Sequence, residues 1–222
     1  MMIDELLRAG TVPVVAILRG LPPTDAIDVG RALIDAGIRI MEVPLNSLAA
    51  HTSIARLCGE LGADALVGAG TVLSSAEVDS VAAAGGRLVV SPHTDAAVIR
   101  RAISLGLECL PGFISPTEAF SAISAGARRL KLFPAKGLGV AHLKALRDVL
   151  ASDIDVWPVG GTGAHDIAQW LHAGAKGIGV GAALYGPSDS AERVRERAQA
   201  LRAAWVRSAD NCDRTPHLAE QA

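Results

Sequence analysis

The chain has 222 residues and a formal net charge of -2; half of its residues are hydrophobic and only 3% are aromatic. That supply suits one core filled by Ala, Val, Leu and Ile, and it excludes the basic patch of a nucleic-acid binder or the charge runs of a membrane-surface protein. Cys58, Cys109 and Cys212 are odd in number and widely scattered, which excludes a disulfide framework or a zinc site and leaves them as thiols of a reducing cytosol.

In chain order, MMIDELLRAG carries acids early, and no apolar run in the chain approaches 18 residues, so a cytoplasmic protein without export signal or anchor is expected. The first predicted strand is VPVVAILR, ending in Arg19. Residues 24 to 36, TDAIDVGRALIDA, follow two prolines, start on Thr24 as N-cap and carry apolar residues at helical spacing. A unit then recurs in which a helix closes on Ala-Gly or a similar pair and a short apolar run follows at once. It reads IDAGIRIMEVPL, VAAAGGRLVVSP, ISLGLECLPG, ISAGARRLKLFP and LHAGAKGIGVG. Gly just past a helix end supplies the left-handed C-cap, and the apolar run is a strand buried on both faces.

With the first strand, ALVGAGT at 65 to 71 and DVWPVGG at 155 to 161, the count reaches eight strands alternating with helices. That pattern predicts a single-domain (β/α)8 TIM barrel over residues 1 to 205, although an open doubly wound sheet shares the alternation. From Val206 the chain is polar and loses its period, so 206 to 222 is expected to be a flexible tail without chemistry.

In a barrel, functional residues come from the C-terminal ends of strands. Strand alternation puts Lys131 on one face with Arg129 and Phe133, and Leu130 and Leu132 on the other; the same parity groups Glu42 with Ile40 and Pro44. Lys131 and Glu42 then share the mouth of the barrel. Of the chain's lysines, Lys136 falls in the loop after the sixth strand, Lys144 on a helix and Lys176 in a turn, so Lys131 alone lies inside an apolar strand.

A free lysine, with a pKa of about 10.4, is neutral in roughly one part in a few thousand at pH 7, so a nucleophilic lysine needs burial or nearby cations. The neutral amine can attack a ketone, and the protonated imine accepts electrons when the neighbouring C–C bond breaks. A carboxylic acid beside it moves the protons. A buried structural ion pair is the alternative reading of the same two residues.

Gly160, Gly161 and Gly181, after the seventh and eighth strands, stand where barrels grip phosphate, although tight turns alone would explain them. Arg19 and Thr71 offer a guanidinium and a hydroxyl at the mouth, and His93 is the one histidine placed there. The histidines form no metal constellation, and neither GxSxG nor a P-loop is present, so no metal and no cofactor is expected.

The segment GARRLKLFPAKGLG, residues 126 to 139, resembles the Schiff-base motif of the 2-keto-3-deoxy-6-phosphogluconate (KDPG) and 4-hydroxy-2-oxoglutarate (KHG) aldolases. AILRG, EVPLNS, GAGTVL, SPHT with Pro92, PG and VGG look like that family's other landmarks in the same order, over about residues 10 to 205. The resemblance implies a homotrimeric barrel acting on a phosphorylated 2-keto-3-deoxy sugar acid. In it Lys131 forms the imine, Glu42 is the acid/base, Arg19 and Thr71 hold the pyruvyl carboxylate, and Gly161 and Gly181 bind the phosphate. Pro44-Leu45-Asn46 and Val159 depart from the gluconate-type pattern and look like the galactonate-type branch. Ala182 stands where the family usually offers a serine hydroxyl to the phosphate. The gluconate epimer, or use of both epimers, is the alternative in the same chemistry; a phosphosugar epimerase or a non-catalytic phosphosugar-binding barrel is the alternative outside it.

Overall fold

The computed structural model describes residues 2–214 of the chain. Helix α1 (Ile3–Arg8) precedes β1 (Val14–Ile17), and strands and helices then alternate as α2 (Ala26–Asp35), β2 (Ile40–Pro44), α3 (Ala50–Leu61), β3 (Leu66–Gly70), α4 (Ser75–Ala83), β4 (Leu88–Val90) and α5 (Ala96–Ser104). The fifth strand is split into β5 (Glu108–Leu110) and β6 (Gly112–Phe113), followed by α6 (Pro116–Ser124), β7 (Arg129–Leu132), α7 (Ala135–Arg147), β8 (Asp155–Pro158), α8 (Ile167–His172), β9 (Ile178–Val180) and α9 (Ala191–Arg214).

All strand pairs are parallel. One sheet runs β5-β4-β3-β2-β1-β9 and the other β6-β7-β8. The sheets meet at both margins. Val159, just past β8, pairs with Gly179 of β9, and Pro111 joins β5 to β6. Proline has no N–H to give a ladder, so the strand is interrupted there, while the Pro111 carbonyl still accepts from the Lys131 N–H at 2.8 Å.

The curled sheet has two apolar sides. Its inner face gathers Val15, Ile40, Leu66, Leu88, Val90, Leu110 and Trp157, closed at the N-terminal ends of the strands by Ile3 and Leu6 of α1. Its outer face carries Met41, Val43, Leu130, Leu132, Ile178 and Val180 against the helices. On β9 and its approach the inward positions are glycines because there is no room for more: a Cβ at Gly177 would stand 2.5 Å from the Trp157 ring, and one at Gly179 2.7 Å from Val159.

Three local expectations are corrected. Helix α2 begins at Ala26 with Asp25 as N-cap, since Thr24 lies in the preceding turn and donates its hydroxyl to Asp25 Oδ1. Lys136 belongs to the first turn of α7 rather than to a loop. Helix α9 continues through Arg214, so residues 206–214 of the expected tail are helical, while 215–222 lie outside the described residues. Tertiary packing of Leu201, Ala204 and Trp205 against the outer core stabilises that helix, which the polar composition of its last turns does not advertise. Cys58 and Cys109 are free thiols, and burial pushes them up to about 11 and about 12. The side chain of Cys212 lies outside the described residues.

Candidate active site

The C-terminal ends of the strands surround a cavity of about 260 Å³. Arg19, Glu42, Thr71, Pro92, Lys131, Phe133, Val159, Gly160, Gly161, Gly181 and Ala182 all line it, so apart from His93 the site residues expected from the sequence come to one place. Ile17, Thr162, His165 and Ala183 line it as well and were not anticipated. His93 is not among the lining residues and stands instead by the Asp95 cap of α5.

Lys131 rises from the inner face of β7 with 6% of its surface exposed, its Nζ 4.7 Å from the centroid of the Phe133 ring. Glu42, on the inner face of β2, is 2% exposed. Burial lowers the Lys131 pKa from its ordinary value; Glu42 opposes the drop and Arg19 adds to it. Burial pushes the Glu42 carboxyl up to about 7, against the pull of Lys131, Arg19 and the Gly70 backbone. Each group is thus shifted toward its neutral form, as a nucleophilic amine and a carboxylic acid that exchanges protons near neutrality both require. Glu42 Oε2 finds no hydrogen-bond partner among the described residues, an orphan that a ligand can satisfy.

The seat of that carboxylate is made by β3. A Cβ at Gly70 would stand 2.1 Å from Glu42 Oε2 and 2.3 Å from its Cδ, so only glycine leaves the space the acid occupies. The next residue, Thr71, has φ +56°, a conformation costly for a β-branched side chain and found where the surroundings enforce it. Across the cavity Arg19 donates through Nη1 to Asn46 Oδ1 at 2.6 Å, and the Gly20 N–H donates to Ser47 Oγ at 2.9 Å. The loop after β2 therefore aims the guanidinium, and Asn46 is a positioning partner that no local pattern reveals. Gly160 and Gly161, with φ +102° and +82°, turn the chain after β8 in a way only glycine adopts readily.

Such a cavity can hold a small anionic ketone, with Arg19 for a carboxylate, Lys131 for the carbonyl carbon and Glu42 for the protons. Among the described residues no cluster of three or more His, Cys, Asp and Glu side chains is grouped to hold a metal ion.

Comparison with known proteins agrees with this chemistry. The model of the KDPG and KHG aldolase family matches residues 3–197. The chain is 44% identical over 189 residues to the 2-dehydro-3-deoxy-6-phosphogalactonate aldolase of Escherichia coli (strain K12), covering 85% of this chain and 92% of that one. It is 45% identical over 193 residues to a probable 2-dehydro-3-deoxy-6-phosphogalactonate aldolase of Rhizobium meliloti (strain 1021), covering 87% and 91%. A solved structure described as native KDPGal superposes with a TM-score of 0.88 at 43% identity, over 90% of this chain and 97% of that one.

Proposed function

The chain belongs to the KDPG and KHG aldolase family, and from that premise we propose that it cleaves 2-dehydro-3-deoxy-6-phospho-D-galactonate to pyruvate and D-glyceraldehyde 3-phosphate. The observation that carries the reading is the burial of Lys131 beside Glu42, each shifted toward its neutral form, in a cavity that Arg19 also lines.

The neutral Lys131 amine adds to the C2 carbonyl, and Glu42 supplies the proton with which water leaves the carbinolamine, giving a protonated imine. The Glu42 carboxylate then takes the C4 hydroxyl proton; the C3–C4 bond breaks, its electron pair enters the imine to form an enamine, and the aldehyde departs. Glu42 returns the proton to C3, and hydrolysis frees pyruvate and the amine. Arg19 and Thr71 hold the carboxylate throughout, and the backbone at Gly161 and Gly181 meets the phosphate. Pro92, Phe133 and Val159 are the apolar walls that keep the imine dry; no cofactor enters these steps.

We read the two sheets as one (β/α)8 barrel in a single domain over residues 1–205, on the support of the Val159–Gly179 bridge and the Pro111 junction. A homotrimer in the cytoplasm completes the proposal. Among the described residues no helix is long and apolar enough to cross a membrane. Sedimentation showing a monomer at micromolar concentration would contradict the trimer.

Two experiments test the function. Pyruvate with borohydride should label the chain once, at Lys131, and labelling elsewhere refutes the mechanism. Side-by-side kinetics on the galactonate and gluconate epimers should favour the first; equal or gluconate-favouring rates refute the substrate assignment while leaving the chemistry intact.

A further inference from the structure

The glycine-rich end of the cavity is poor in side-chain donors. Val159, Gly160, Gly161, Gly181, Ala182 and Ala183 bring no polar side chain to it. The hydroxyl of Thr162 is buried and donates to the Gly179 carbonyl oxygen at 2.7 Å. Backbone N–H groups would be left to face a phosphate monoester carrying a charge of about -1.5 to -2 at neutral pH.

Two nitrogen-bearing side chains from different elements stand by this end, His165 among the residues that line it and Lys136 behind Gly161, outside the lining. His165, from the loop between β8 and α8, lines the cavity beside Ala183. A Cβ added at Gly163 would meet its Nδ1 at 3.1 Å and the Ala183 Cβ at 3.4 Å, which places ring and alanine close together around that glycine. The stem of Lys136, in the first turn of α7, lies over Gly161, where an added Cβ would meet its Cβ and Cδ at 2.7 Å. The Lys136 N–H also donates to the Gly160 carbonyl at 2.9 Å, fixing the helix start to the glycine turn. Asp166 has its Oδ2 3.8 Å from His165 Nε2, yet its oxygens already accept from the Gly163 N–H and from Trp170 Nε1.

We propose that His165 and Lys136 form the phosphate clamp of this enzyme. The ring N–H and the ammonium close on the phosphoryl oxygens from either side of the Gly160–Gly161 turn. They supply there what Ala182 and Ala183 cannot. The clamp rests on the phosphorylated-substrate reading above and adds to it the side chains that select the phosphate. Both are exposed, so each should contribute about 2- to 5-fold in selectivity, in the range of charged contacts open to solvent.

The aldol direction gives the test, because pyruvate can be offered with glyceraldehyde 3-phosphate or with unphosphorylated glyceraldehyde. The readout is the ratio of kcat/KM for the two aldehydes, which cancels any loss of folded enzyme. His165→Asn and Lys136→Met should each lower that ratio by about 2- to 5-fold, mainly through the KM of the phosphorylated aldehyde, and the double variant should combine the losses. Lys136→Arg, which keeps the charge, should retain most of the ratio. Added salt should compress the ratio of the unaltered enzyme more than that of the double variant. An unchanged ratio in both single variants would overturn the clamp. Equal kcat/KM of the unaltered enzyme for the two aldehydes, measured before any substitution, would overturn the phosphorylated-substrate reading and the clamp with it.

Discussion

Arg129 and Lys131 lie two residues apart on the inner face of β7, at opposite ends of the strand, and their surroundings differ in kind. Arg129, at the N-terminal end, is met by Asp4 from α1, by Glu108 Oε2 at 3.2 Å and by Asp155 Oδ2 at 3.4 Å. Glu108 also accepts the Ile3 N–H through Oε1 at 2.9 Å, so the cluster fastens α1 as the floor beneath the inner face of the curled sheet. Lys131, at the C-terminal end, has the buried Glu42 and the ring of Phe133 about it, and Glu42 itself keeps an orphaned oxygen. A cation surrounded by carboxylates holds a fold together; a cation short of partners is poised to react.

Substitutions at four positions sharpen or break that contrast. Lys131→Arg keeps the charge but cannot form an imine, so turnover should fall by about 10⁴-fold or more and borohydride trapping of pyruvate should vanish. Retained turnover would mean that the reacting group is wrong.

Glu42→Gln should lower kcat by about 10²- to 10⁴-fold while some trapping survives. The basic limb of the kcat/KM profile should lie near pH 7, where burial places Glu42, because the first proton transfer needs the protonated acid, and it should disappear in the variant. Stability should move the other way. The folded pKa, about 7, lies above the ordinary 4.5, so the buried carboxylate costs nothing below pH 4.5, a growing amount between 4.5 and 7, and its full cost above 7. Glu42→Gln should therefore raise Tm at pH 8, by the equivalent of about 1–3 kcal/mol, and leave it nearly unchanged at pH 4.

At the floor the expectation reverses. Arg129→Met leaves Glu108 and Asp155 without their guanidinium and should cost about 3–5 kcal/mol in denaturant unfolding, with kcat of the folded fraction retained. A variant as stable as the parent would show that the cluster is not what secures α1.

The smallest effect is expected at Gly70→Ala, where the added methyl must displace the Glu42 carboxylate by an ångström or more. kcat should drop by about 10- to 100-fold with KM little changed. Glu42→Asp, harmful in the parent, should be less harmful in the alanine background because the shorter acid clears the methyl. Additive losses would show that Gly70 does not act through Glu42.

Much of the fold was legible because the signals are local. Gly after most helices and a short apolar run after each such Gly mark parallel strands at their own positions, and period-two alternation alone turns Lys131 inward and Leu130 outward. The break at Pro111 and the helical course of 206–214 were not legible, the first because an eight-strand count does not register an interruption, the second because packing of α9 overrides its polar composition.

By itself the sequence determined which lysine and which glutamate face the interior, and it named a set of residues that one cavity collects. Tertiary structure alone decided that Asn46 aims Arg19, that Gly70 seats Glu42, that His165 and Lys136 flank the glycine turn, and that Asp4 reaches Arg129 from 125 residues away. The physical reason is the range of the interaction: alternation and capping act within a few residues, whereas burial and charge act on whatever the curled sheet brings within a few ångströms.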